Sequence, residues 1–116
     1  MHMHELSIAQ EIINILETNV PTESYRQVSK VKVKIGKFSN ILSDSLQFCF
    51  EVVINNSKFS NTKLEIETVP LIIECSDCRS KIEIEPPVFI CSNCGSSNIN
   101  LITGNEMSID LIEIND

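Results

Sequence analysis

Apolar residues fall at Leu6, Ala9, Ile13 and Leu16, with Ile8, Ile12 and Ile15 beside them, a broad stripe at helical period that predicts a core-facing helix from Leu6 to about Asn19. Asn19-Val20-Pro21-Thr22 stops it, because proline lacks the amide a further turn needs and restricts the residue before it. The period then changes to two. Val31, Val33 and Ile35 alternate with Lys30, Lys32 and Lys34, the mark of a strand with one buried and one wet face. The lysine row is read as a solvated face, with a docking stripe for an acidic partner as the alternative. Gly36 is expected to break this strand. Ser43-Asp44 reads as the cap and first turn of a second helix reaching about Asn56, with Leu42, Leu46, Cys49, Phe50 and Val53 on its inner face and Cys49 as a small buried hydrophobe. Lys63-Leu64-Glu65-Ile66-Glu67 is a second alternating strand, Leu64 and Ile66 inward. Met107 to Ile114, apolar on parts of both faces, predicts a strand central in its sheet.

Between the last two strands the pattern is interrupted by Cys75-Ser76-Asp77-Cys78 and Cys91-Ser92-Asn93-Cys94, two C-x2-C pairs twelve residues apart. Each pair sets two sulfurs one ligand span apart on a single turn, and two such turns complete a tetrahedral thiolate site. Zinc suits four thiolates without redox chemistry, and iron in a rubredoxin-like site uses the same ligands. A structural Zn(II) with no vacancy for an activated water is the reading taken. Paired disulfides fit poorly with five cysteines, and a reversible dithiol switch needs an electropositive neighbourhood that Glu74, Asp77, Glu83 and Glu85 deny against Arg79 and Lys81. Within this stretch Ile82-Glu83-Ile84 and Val88-Phe89-Ile90 flank a turn marked by Pro86-Pro87, and Gly95 follows the second pair where the backbone turns sharply.

The expected fold is α+β: a small three-stranded sheet with two helices, carrying an inserted zinc-ribbon-like module. The expected domains are residues 1-69 with 105-116, and the inserted residues 70-104. With 116 residues the chain can hold one ordinary domain, or one small core plus a module too small to fold without its metal, and the clustered cysteines fit the second. A formal charge of −7 repels phosphate, which argues against the nucleic-acid binding common among zinc ribbons. The longest apolar runs are too short to cross a bilayer, so no membrane role and a cytoplasmic location are expected.

The second concentration of chemistry is the start, Met1-His2-Met3-His4-Glu5, which holds both histidines of the chain. A terminal amine, the following amide nitrogen and the His2 imidazole would form fused chelate rings of the nitrogen-rich planar kind that suits Ni(II) or Cu(II). Glu5 has a structural alternative, since a carboxylate in a first helical turn is favoured by the unpaired amides there. No nucleophile constellation or phosphate loop accompanies these residues, so an enzyme is not expected.

Met3-His4-Glu5-Leu6-Ser7, the helix–strand–helix–strand order, and C-x2-C-x12-C-x2-C followed by a return strand together resemble the HypA/HybF family of nickel metallochaperones. The resemblance spans essentially the whole chain. It implies a protein that carries Ni(II) as transient cargo during maturation of nickel–iron hydrogenase, and in some bacteria urease. It further implies work with the GTPase HypB, the hydrogenase large subunit and urease maturation proteins, and it allows a homodimer. Carried over by position, His4 matches the nickel histidine, Glu5 the neighbouring carboxylate, and Cys75, Cys78, Cys91 and Cys94 the zinc ligands. The family motif begins at its initiator methionine, whereas here it begins at Met3, so His2 is the alternative anchor for nickel. The alternative function is a zinc-ribbon adaptor or protein-interaction module without nickel delivery.

Overall fold

The computed structural model describes residues 4–39, 41–85 and 88–115. They form α1 (His4–Asn19), β1 (Val28–Gly36), α2 (Ser43–Ile54), β2 (Lys63–Val69), β3 (Leu71–Cys75), β4 (Lys81–Ile84), β5 (Ile99–Thr103) and β6 (Met107–Ile114). Two compact units result, one of residues 1–33, 41–67 and 108–116, the other of residues 34–40 and 68–107. The strands make two three-stranded sheets, ordered β2-β1-β6 and β4-β3-β5.

In the first unit, α1 buries Ala9, Ile12 and Leu16, followed by Val20, a stripe centred on Ile12 with Ile13 half-covered beside it. These pack with Val28, Val31 and Val33 of β1 and with Leu46, Phe50 and Ile54 of α2 as the unit's buried apolar core. The α2 stripe steps by four, so Leu42, expected inside, stands 65% exposed and Cys49 is half-buried. The helix ends at Ile54, two residues before the expected stop, because Asn56 adopts the left-handed φ of +62° that closes a helix.

The expected central position of the last strand is corrected here. β6 lies at the edge of its sheet, and β1 is central. The apolar residues on both faces of β6 do not mark two covered faces, for Leu111 and Ile114 remain 46% and 41% exposed. The central place goes to β1, whose alternate residues are fully buried and whose lysines pair across to β2, Lys30 Nζ to Glu65 at 3.7 Å and Lys32 Nζ to Glu67 at 3.2 Å. The lysine row is thus a cross-strand ion-pair row in these two positions.

The strand ends at Gly36, where the break was expected. A Cβ there would stand 2.0 Å from the Gly104 carbonyl oxygen. The second unit closes across this approach: Gly36 N donates to Glu106 O at 2.8 Å and Phe38 N to Gly104 O at 2.7 Å. Lys37 Nζ binds Glu85 at 2.8 Å, and the Phe38 and Phe89 rings meet edge-on at 5.6 Å.

The expected turn at Pro86-Pro87 falls on residues that lie outside those described. Ile82–Ile84 do not pair with Val88–Ile90. They pair with β3, Leu71 opposite Ile84 and Ile73 opposite Ile82, because the first cysteine turn is itself the hairpin connection. Val88, Phe89 and Ile90 form no strand and are exposed. The other neighbour of β3 is β5, which the sequence pattern did not single out. Among the described residues this unit has a small apolar cluster of Leu71, Ile73 and Ile84, with Ile82 and Ile99 against them.

A four-cysteine centre and the amino-terminal turn

Each C-x2-C turn is a knuckle closed by its own backbone. Arg79 N donates to Cys75 O at 2.8 Å and Cys75 N to Ser80 O at 2.9 Å. The same two bonds recur in the second knuckle, Gly95 N to Cys91 O at 2.7 Å and Cys91 N to Ser96 O at 2.8 Å. The residue after the second cysteine must be left-handed in this turn: φ is +79° at Gly95 and +66° at Arg79. Glycine takes that conformation freely, while arginine does so at about 1–2 kcal/mol. The correspondence is written in the sequence as Cys75-Ser76-Asp77-Cys78-Arg79-Ser80 and Cys91-Ser92-Asn93-Cys94-Gly95-Ser96. A reading limited to cysteine spacing overlooks this longer repeat.

The knuckles bring Cys75, Cys78, Cys91 and Cys94 together with all four sulfurs within 4.8 Å of one another. Cys75 Sγ lies 3.5 Å from Cys94 Sγ, and Cys78 Sγ 3.6 Å from Cys91 Sγ. A tetrahedron with zinc–sulfur bonds of about 2.3 Å has edges of about 3.8 Å, so the donor set fits such an ion. A disulfide needs about 2.05 Å, far shorter than either pair. Cys75 and Cys91 are fully buried, Cys78 is half-buried and Cys94 is exposed. Among the described residues no other group of histidine, cysteine and carboxylate side chains is placed to hold a metal.

Without a cation the sulfurs share protons unequally. The Ser80 hydroxyl, the Asn93 amide and the Ser80 backbone draw Cys78 down to about 6. At Cys94 the Ser96 backbone amide favours the thiolate, but the Cys75 thiol, burial and the sulfurs of Cys78 and Cys91 outweigh it and push the group up to about 12. Four thiolates this close repel one another, so filling the site must expel protons, and a divalent cation is what makes full ionisation favourable.

His4 is the first residue of α1, its side chain outside what is described, and His2 lies outside the described residues altogether. Glu5 follows in the first turn. Its Oε2 accepts a hydrogen bond from Leu42 N at 3.1 Å. Leu42 is the N-cap of α2, and its apolar side chain makes no cap; Ser43, expected in that role, is already helical. Glu5 therefore performs from a different helix the reach-back to the cap amide that a capping-box glutamate performs within its own. No described helix is long and apolar enough to cross a membrane.

Compared with known proteins, residues 3–114 match the model of a family described as hydrogenase/urease nickel incorporation, metallochaperone, HypA. A hydrogenase maturation factor HypA of Moorella thermoacetica is 33% identical over 111 residues, covering 96% of this chain and 98% of the relative. That of Desulfatibacillum aliphaticivorans is 34% identical over 115 residues, covering 98% and 88%. Among solved structures, the Ni metallochaperone HypA of Helicobacter pylori superposes with a TM-score of 0.65 at 25% identity, covering 97% of each chain.

Proposed function

This chain belongs to the HypA family of hydrogenase/urease nickel-incorporation metallochaperones, and from that premise we propose that it carries Ni(II) on its amino-terminal residues and hands it over during maturation of nickel–iron hydrogenase. The observation that carries the reading is the family match, which begins at Met3, directly ahead of His4 and Glu5, and spans the four-cysteine centre. Cargo in transit calls for few, accessible donors, whereas four crowded sulfurs make a closed cage. His4 supplies an imidazole to nickel, with Glu5 beside it and His2 as the alternative anchor. Cys75, Cys78, Cys91 and Cys94 hold zinc, whose binding, worth about 10–16 kcal/mol in small zinc-folded peptides, stabilises a unit with a very small apolar core. The unit of residues 1–33, 41–67 and 108–116 acts as the nickel domain and that of residues 34–40 and 68–107 as the zinc domain. The partners that follow are the HypB GTPase, the hydrogenase large subunit and, where urease is present, its maturation proteins, all in the cytoplasm. The protein transfers a metal and catalyses no reaction.

The test is Ni(II) titration of protein with a verified start, by calorimetry and absorption, with His4→Ala and His2→Ala beside it. Loss of a direct ligand exceeds the roughly 10–100-fold cost of losing a second-shell partner. His4→Ala should therefore weaken nickel by about 100-fold or more while zinc content stays at the wild-type level. Unchanged nickel affinity in His4→Ala would remove His4 from the site, and loss only in His2→Ala would move the anchor there.

A further inference from the structure

Side chains at related positions tie the two knuckles together, and the ties run in opposite senses. Asp77 Oδ2 of the first knuckle accepts from Ser96 Oγ of the second at 2.5 Å. Asn93 occupies the position in the second knuckle that Asp77 occupies in the first, yet it donates: from Nδ2 to Ser80 Oγ at 3.1 Å and to Cys78 Sγ at 3.5 Å. A carboxylate offers only lone pairs, whereas a carboxamide offers two N–H donors. The difference reverses the two serines. Ser96 directs its proton to Asp77 and takes the Asn98 amide at 2.9 Å on its lone pair. Ser80 instead accepts, from Asn93.

Cys78 is thereby served by a side-chain amide. Cys94, its counterpart, has the Ser96 backbone amide and the neighbouring thiols, with no side-chain amide or hydroxyl among the described residues, and it is exposed. A thiolate whose lone pairs are engaged by N–H and O–H donors carries less free charge and meets electrophiles and competing ligands less readily.

We propose that the Asp77/Asn93 difference makes the four sulfurs unequal ligands: Asn93 is a positioning residue that anchors Cys78 to the metal, and Cys94 is the sulfur that lets go first. Opening then starts at the end of the second knuckle and leaves the β3–β4 hairpin, with Cys75 and Cys78, attached to the ion. The inference rests on the reading of this centre as a zinc site.

The experiment uses the zinc-loaded full chain as wild type, Asn93→Asp, Asp77→Asn and the double exchange. Zinc transfer to a chromogenic chelator is timed. Iodoacetamide alkylation, in which the cysteine sulfur displaces iodide, is mapped to each cysteine by mass spectrometry, and the sulfur-to-metal charge-transfer band of the Co(II) form is recorded. Asn93→Asp should speed zinc release about 10-fold or more and shift the Co(II) band, because the amide donor to Cys78 is gone. Asp77→Asn should lower alkylation of Cys94 relative to Cys78 several-fold, since it supplies an amide at the related position. The double exchange should keep one zinc per chain while moving the alkylation preference from Cys94 toward Cys78. An alkylation ratio that stays the same across all four proteins would overturn the proposal and leave the zinc site intact. Loss of zinc from Asn93→Asp with no change in Asp77→Asn would also overturn it, since the tie would then be only a brace. Wild-type protein that takes up no zinc would remove the zinc reading and this inference with it.

Discussion

Replacing Gly36 with alanine tests how the second unit is closed. The added Cβ would lie 2.0 Å from Gly104 O, 2.1 Å from Gly104 C and 2.5 Å from Asn105 N, all backbone atoms that cannot swing away as a side chain would. Relief to an ordinary contact requires the two segments to part by about 1 Å or more. That separation stretches the bonds from Gly36 N to Glu106 O (2.8 Å) and from Phe38 N to Gly104 O (2.7 Å) beyond hydrogen-bonding range. Two lost backbone bonds at about 1 kcal/mol each, with overpacking strain of about 1–3 kcal/mol, give a loss of about 3–5 kcal/mol. For a chain of this length about 1 kcal/mol corresponds to about 4 °C, so the midpoint should fall by about 12–20 °C. The assay is thermal unfolding by circular dichroism at fixed protein and saturating zinc, since a bound metal moves the midpoint by mass action. Gly95→Ala is the control: its Cβ meets nothing within 4 Å and only the φ of +79° resists it, a cost of about 1–2 kcal/mol. A Gly36→Ala midpoint no lower than that of Gly95→Ala would refute the close-approach reasoning.

Other outcomes follow from the same geometry. Cys75→Ser should abolish zinc retention, and amide exchange should then show residues 68–107 losing protection before α1 and α2; zinc held at one per chain would contradict the four-sulfur site. Glu5→Gln keeps a carbonyl oxygen for Leu42 N and should leave stability within about 0.5 kcal/mol, whereas Glu5→Ala should cost about 1 kcal/mol; equal stabilities would mean the bond to α2 contributes nothing. If Glu5 also binds nickel, Glu5→Gln should weaken the metal without that stability change. Because Cys78 is drawn down to about 6 in the metal-free protein, it is largely ionised at pH 7.5 and largely protonated at pH 5. Zinc uptake should accordingly release fewer protons at pH 7.5 than at pH 5, read by calorimetry in buffers of different ionisation enthalpy; the same proton count at both would exclude an acidic Cys78.

Local periodicity carried the helices and strands of the first unit. Ala9, Ile12 and Leu16 repeat at the helical step and Val31 and Val33 at the strand step, because one buried face of a regular element must be apolar whatever it packs against. The cysteine centre was equally legible, since its ligands sit close in sequence and their chemistry is confined to metals and disulfides. The strand order was not. The composition of β6 suggested a central position, but the pairing of strands places β1 in the middle and β6 at the edge. The strand that receives Ile82–Ile84 was not legible either, because a turn signal says that the chain reverses, not which strand it meets.

What the residues determined alone were the helices and strands of the first unit, the α+β class, the four-sulfur donor set and the resemblance to a nickel-handling family. Tertiary structure decided that residues 34–40 join the cysteine unit, that Gly36 is needed for a backbone approach, and that Glu5 holds the start of α2. It also decided that Asp77 and Asn93, one atom type apart, direct their knuckles' hydrogen bonds in opposite senses. Each of these joins groups distant in the chain, and contact between distant groups is set by how elements pack, which no local pattern encodes.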